Sequence, residues 1–183
     1  EKAFLREPVS EEEILNESPL VPSLSRSMCA ALGDGAAAVV LCSEEALEEL
    51  SLKQQGRAVK VAASVLVGGY PRALDENSAL QFAAGQAYWE AELLPAEIDF
   101  AEVHDATSYS QIVAYEDLSF CESGDGGNYL VSGATALNGE RPVNASGGLL
   151  SKGHPLAATG LAMIHEVSLQ IRGEAGSRQL PKA

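Results

Sequence analysis

Apolar residues fall into two kinds of run along this chain. Short continuous blocks, 36–42 (AAAVVLC) and 57–67 (RAVKVAASVLV), alternate with longer stretches where apolar positions recur every three or four residues. A continuous block bounded by turn residues suits a strand buried on both faces. Gly33-Asp34-Gly35 opens the first block and Gly68-Gly69 closes the second. Lys60 and Ser64 interrupt the second, which predicts one partly solvated face. A third strand is predicted over 100–103, ending at His104-Asp105.

The helical stretches carry their own boundaries. Ser43 is a predicted cap, with Glu44, Glu45 and Glu48 near the positive end of its helix. Asn77 or Ser78 caps the next, whose inner face is Leu80, Ala83, Ala84, Ala87, Tyr88 and Ala91; Pro95 stops it. Another helix begins near Thr107, with Ile112, Val113 and Leu118 inward. Residues 122–139 read as a Gly-rich irregular stretch. Pro155 fits the first turn of a last helix closed by Gly173. Residues 1–30 read as a charged, solvated lead-in, and 31–183 as the domain proper. Strands alternating with helices imply an α/β layered fold, with a mixed, mostly parallel sheet flanked by helices.

Composition narrows the function classes. The 183 residues suffice for one full domain. At 46% hydrophobic and 21% charged residues the chain matches ordinary globular proteins, not disordered ones. No apolar run reaches the roughly 18 residues of a membrane span. Twelve Lys and Arg against 26 Asp and Glu give a net charge of −14, which opposes nucleic-acid binding. Cys29, Cys42 and Cys121 form no CxxC pair, so neither a zinc ribbon nor a disulfide framework is expected. All three read as structural residues. Their spacing suits a reducing compartment, expected to be cytoplasmic, with a peroxisome or other organelle left open.

Candidate chemistry gathers at two histidines. His104 ends a predicted strand, and His154 precedes Pro155 at the predicted start of a helix. In open α/β sheets, ligands bind outside the carboxyl ends of strands. A neutral imidazole there suits a general base or an oxyanion donor. Gly147, Gly148, Gly153 and Gly160 would let backbone approach a ligand closely. His165, inside the last helix, carries no special role.

The motifs at these residues resemble a known family. EVHDATSYSQIVAYEDLSFC (102–121), PVNASGGLLSKGHPLAATGLA (142–162) and QIRGEAGSRQLPKA (170–183) are similar to the C-terminal half of thiolases, as is GDGAAAVVL (33–41). The branch they most resemble is the sterol-carrier-protein thiolase and lipid-transfer-protein group. The resemblance implies a layered fold of two similar halves, and a homodimer in the complete protein. It implies acyl transfer on a CoA thioester through a cysteine of an N-terminal half outside this chain. His154 would activate that thiol, and His104 would act in the oxyanion hole or as an acid/base aid. Asn144, Ser146, Gly147, Gly148 and Gly153 would shape the substrate loop, and Tyr109 is a candidate proton donor beside it. Coenzyme A would enter as part of an acyl-CoA or sterol-CoA substrate; no metal or redox cofactor is implied.

Three departures from the family pattern bear on this expectation. No nucleophile can be assigned within the chain, so the chain alone is expected to be inactive. The family pattern continues into a final strand past Ala183, which this chain is expected to lack. Ala106 stands where sterol-carrier thiolases often carry a cysteine, and Ala157 replaces the glycine common two residues after the GHP proline. The lack of a cysteine at 106 resembles the lipid-transfer branch, some members of which cleave steroid side-chain CoA thioesters by retro-aldol reaction with a small oligonucleotide-fold partner protein. A non-catalytic lipid or acyl-CoA binding fragment is the third expectation.

Overall fold

A computed structural model describes residues 6–73 and 76–183. The first five residues of the lead-in lie outside the described residues. Glu11–Asn16 forms α1, and Ser10 caps it by a reciprocal bond with Glu13. Pro19–Val21 (β1) and Leu24–Ser25 (β2) pair antiparallel. The helices that follow are α2 (Glu44–Glu48), α3 (Leu52–Gln55), α4 (Ala79–Ala91), α5 (Ser108–Asp117), α6 (Gly126–Val131), α7 (Gly148–Lys152) and α8 (Thr159–Ile171).

Several boundaries match the sequence expectation. Ser43 caps α2 and Ser78 caps α4, each accepting an amide bond from the third residue of its helix. Thr107 caps α5. Gly173 follows α8 with φ +70°, a conformation that costs glycine little.

The sheet departs from expectation. Instead of a mostly parallel sheet, the described residues hold the β1–β2 pair and three isolated bridges, two of them parallel. The 36–42 and 57–67 blocks run without strand pairing. Val40 is 93% exposed and Leu66 98%. A strand needs neighbours to satisfy its backbone groups, and among the described residues these two blocks find none. The 100–103 stretch does find one: Ala101 bridges Val143, with Ala101 N–H donating to Pro142 O and Asn144 N–H to Ala101 O.

Two other expectations change. The 122–139 stretch contains α6, seated where Gly126 N–H donates to Glu116 Oε1. A Cβ at Gly126 would lie 2.6 Å from Ile112 O, so only glycine allows this approach. The last helix starts at Thr159, not Pro155. A short α7 and a turn precede it, because Ala157 takes φ +67° and breaks the helical path.

The core lies between the 98–103 stretch, α5 and α6. Val103, Ala114, Tyr115, Phe120 and Val143 are buried together, with Ile98, Leu118 and Tyr129 packed against them. Arg141 lies over the Phe120 ring, 4.6 Å from its centroid, and donates to Ile98 O. Tyr88 O–H donates to Leu118 O, and Ser78 O–H to Asp117, so α4 is pinned to α5 at both ends.

A second cluster holds the C-terminal turn against α8. Gln170, 1% exposed, donates to Arg178 O and accepts from Leu180 N–H. Glu166 is also buried and accepts two bonds from Arg178, at 2.8 and 3.2 Å. Burial pushes the Glu166 carboxyl upward. The bonds from Arg178 and Gln170 and the charges of Arg178 and Lys152 outweigh that, and it ends below the usual range. Such a group stabilises the fold above its unfolded pKa and loses that contribution as pH falls through the lowered value. Arg178→Met strands the carboxylate and is expected to cost about 3 kcal/mol at neutral pH. Denaturant unfolding should show the gap between wild type and variant closing on acidification below the carboxylate range. A gap that stays constant to low pH contradicts this.

Candidate functional site

The site is built by one extended segment and one loop. Residues 101–105 carry Glu102, His104 and Asp105, and residues 144–154 wrap against them. Asn144 starts the join: its Oδ1 accepts Val103 N–H at 2.8 Å. Asp105, 2% exposed, accepts Leu149 N–H at 2.8 Å and Leu150 N–H at 3.4 Å. Glu102 accepts both Ser146 N–H, 2.9 Å, and Ser146 O–H, 2.6 Å. Burial pushes both carboxyls above the usual range, and the donors they accept from, with Lys152 nearby, pull them back in part.

Two glycines are required by this join. Gly148 has φ +65°, and a Cβ there would collide with the Asp105 carboxylate. Gly147, at φ +98°, would put a Cβ 2.8 Å from Ser151 Oγ. Gly153 is buried with φ +87° and turns the chain into His154. A short strap from the lead-in completes the frame. Ala30 N–H donates to Ala106 O, Cys29 bridges Thr107, and His154 N–H donates to Ala31 O at 2.7 Å.

The frame brings the two histidines together. His104 Nε2 and His154 Nε2 lie 3.2 Å apart, with the rings nearly perpendicular at 78°. His154 Nδ1 lies 2.8 Å from Thr159 Oγ1, and that hydroxyl lies 3.1 Å from Pro155 O. A hydroxyl has one proton and a carbonyl only accepts. Both contacts are satisfied when Thr159 O–H donates to Pro155 and His154 Nδ1–H donates to Thr159. That assignment leaves His154 Nε2 with a lone pair, so His104 Nε2–H is the donor across the gap. The network thus sets the tautomers.

The other expected site residues distribute unevenly. Asn144, φ +56°, ends in a buried Nδ2 without a hydrogen-bond partner among the described residues. Ser146 is held by Glu102 and Lys152, and its hydroxyl is occupied. Tyr109 is 66% exposed on the first turn of α5 and makes no hydrogen bond among the described residues. His165 is exposed on α8. Ala157 is also exposed, and at φ +67° its methyl adds backbone strain. All three cysteines are free. Cys42 is exposed, and Cys121 packs on the core, where burial and the nearby Glu116, Asp125 and Glu122 raise its thiol pKa. That is the wrong direction for a nucleophile. A groove of about 710 Å³ at the end of α4, lined by Tyr88, Trp89, Leu93 and Leu94, shares no residue with the histidine pair. No group of three or more potential metal ligands occurs among the described residues.

Sequence reading assigned no role to Glu102, Asp105, Lys152, Thr159 or the 29–32 strap, all parts of this frame. Glu102 stands two residues before His104 and Thr159 five after His154, both within the quoted motifs. The strap acts through its backbone and left no side-chain signal.

An HD segment and a GHP turn hold the two imidazoles against one another in this frame. The chain belongs to the family described as thiolase C-terminal domain-like, which matches residues 71–183. It is 38% identical over 180 residues to sterol carrier protein 2 of Oryctolagus cuniculus, covering 94% of this chain and 32% of that protein. It is 40% identical over 180 residues to the acetyl-CoA acetyltransferase of Methanothermobacter thermautotrophicus, covering 96% of this chain and 46% of that one. The chain therefore spans a third to a half of the length of these relatives. Among solved structures, the Ltp2-ChsH2(DUF35) aldolase shares the fold, with a TM-score of 0.67 at 19% identity, over 94% of this chain and 46% of that one. No helix among the described residues is long and apolar enough to cross a membrane.

Thr159→Val keeps the shape of the side chain and removes its oxygen. Nitrogen-15 spectra of the imidazoles are expected to show His154 passing from a single Nδ1–H tautomer to a mixture, while Thr159→Ser retains the wild-type pattern. An unchanged His154 pattern in Thr159→Val contradicts the assignment.

Proposed function

We propose that this chain supplies the histidine half of a CoA-thioester site, working in carbon–carbon bond cleavage or formation on acyl-CoA. The observation that carries this reading is the 3.2 Å approach of the two Nε2 atoms. A substrate oxygen entering the gap would take the His104 Nε2–H as its donor and free the His154 lone pair. His154 Nε2 would then accept the proton of a thiol, and the thiolate would attack the thioester carbonyl. The resulting oxyanion would be held by His104. A preorganised oxyanion donor supplies roughly 3–4 kcal/mol, and a positioned base about 10²–10⁴-fold in rate. The thiol is expected from an N-terminal half, because Cys121 is tuned away from thiolate and no hydrogen bond joins Cys29 or Cys42 to either imidazole among the described residues.

Ala106 favours a second reading at the same pair. With no acid/base side chain after His104-Asp105, a retro-aldol cleavage needs less of the site than Claisen chemistry. The hydroxyl proton of a 3-hydroxyacyl-CoA would pass to His154 as the carbon–carbon bond breaks. The electron pair would move to the thioester enolate, held by His104, with a ketone or aldehyde leaving. A small partner protein is part of this second reading, by resemblance to the lipid-transfer branch.

His154→Ala in the complete enzyme is expected to lower kcat/KM for acyl-CoA cleavage by 10²–10⁴-fold. Cleavage that depends on free CoA identifies thiolysis. Cleavage without it, releasing a carbonyl product, identifies the retro-aldol. Full turnover in His154→Ala refutes both.

A further inference from the structure

We propose that Glu102 is a positioning residue, acting through Ser146 and Lys152 to hold the 144–154 loop so that His154 meets His104. This rests on the reading that the histidine pair is the reacting site, and names what sets its geometry.

The hydrogen bonds run in one direction. Lys152 Nζ has only protons to give, and donates to Ser146 Oγ at 2.6 Å. Ser146 then spends its own proton on Glu102 Oε2, also at 2.6 Å, while its backbone N–H reaches Glu102 Oε1. One carboxylate thus takes two donors from one residue, with a cation behind them. Charge-assisted bonds of this length are about twice as strong as neutral ones.

The placement gives the chain its consequence. Glu102 is two residues from His104 along an extended segment, where alternate side chains share a face. Lys152 is two residues from His154, separated by Gly153 alone. The path Glu102–Ser146–Lys152 therefore joins the two histidine-bearing segments by side chains. It does so at the opposite end of α7 from Asp105, which grips the amides of Leu149 and Leu150. Without the Glu102 arm, α7 keeps its N-terminal anchor on Asp105 and His154 keeps its strap bond to Ala31 O, while the C-terminal turn of α7 loses the side-chain tie that sets its height against His104.

Burial supports a demanding role. Glu102 is part-buried, and Glu166 adds repulsion that Lys152 opposes.

The test uses the complete enzyme with three variants: Glu102→Gln, Ser146→Ala and Lys152→Met, with Ser146→Thr as the conservative control. Imidazole nitrogen and proton resonances of His104, His154 and His165 are recorded beside kcat, KM and Tm. The expected result is displaced signals for His104 and His154 but not His165, in all three variants. A kcat reduced by about 10- to 100-fold with KM within twofold is expected alongside, and imidazole signals at the wild-type positions in Ser146→Thr, which keeps the hydroxyl. Lower Tm with imidazole signals at their wild-type positions overturns the proposal, because the network is then only structural. If Glu102→Gln fails to fold, Ser146→Ala and Lys152→Met decide by the same readout. Displaced imidazoles in an enzyme whose wild type cleaves no acyl-CoA would sink the functional reading and leave the positioning role standing.

Discussion

Buried amides must find acceptors, and here that requirement shapes the site. The 144–150 loop presents backbone N–H groups of Ser146, Leu149 and Leu150 toward the 101–105 segment. Glu102 and Asp105 take them, and Asn144 returns the favour to Val103 N–H. An unsatisfied buried amide costs on the order of 1–3 kcal/mol, so the loop has little freedom once these acceptors are present. The desolvation of two carboxylates is offset by the bonds they accept. Everything that makes the histidine pair useful follows from that closure, because His104 lies between the two acids and His154 lies at the end of the loop.

The helices explain why the segment itself stays fixed. Val103 is buried among Ala114, Tyr115 and Phe120, while its neighbours Glu102 and His104 point to the loop side. Alternation along an extended chain separates a packing face from a chemical face. Arg141 and Val143 continue the packing on the other side of the Ala101 bridge. The site is thus supported by the core rather than placed on a mobile surface, which is what a precise interatomic distance requires.

Much of this was legible in the chain. The cap at Ser43, a cap at Asn77 or Ser78 and a helix start near Thr107 were readable because a capping side chain acts on its own next turn. The two histidines were readable because their motifs are local. The sheet was not, since pairing depends on residues remote in sequence, and blocks 36–42 and 57–67 carry strand composition without a partner among the described residues. The start of α8 was misplaced because Ala157 adopts a left-handed turn that alanine rarely takes. Glu102 and Thr159 were passed over because each looks ordinary until the fold supplies its acceptor or donor. Tyr109 shows the converse, a reactive-looking side chain that the helix turns to solvent.

The strap at residues 29–32 is hydrogen-bonded to both halves of the site through its main chain. Such bonds hold a backbone path whatever side chains the segment carries. A ring-closed residue at position 30, which has no amide proton, would break the bond to Ala106 O and loosen the frame from its lead-in side.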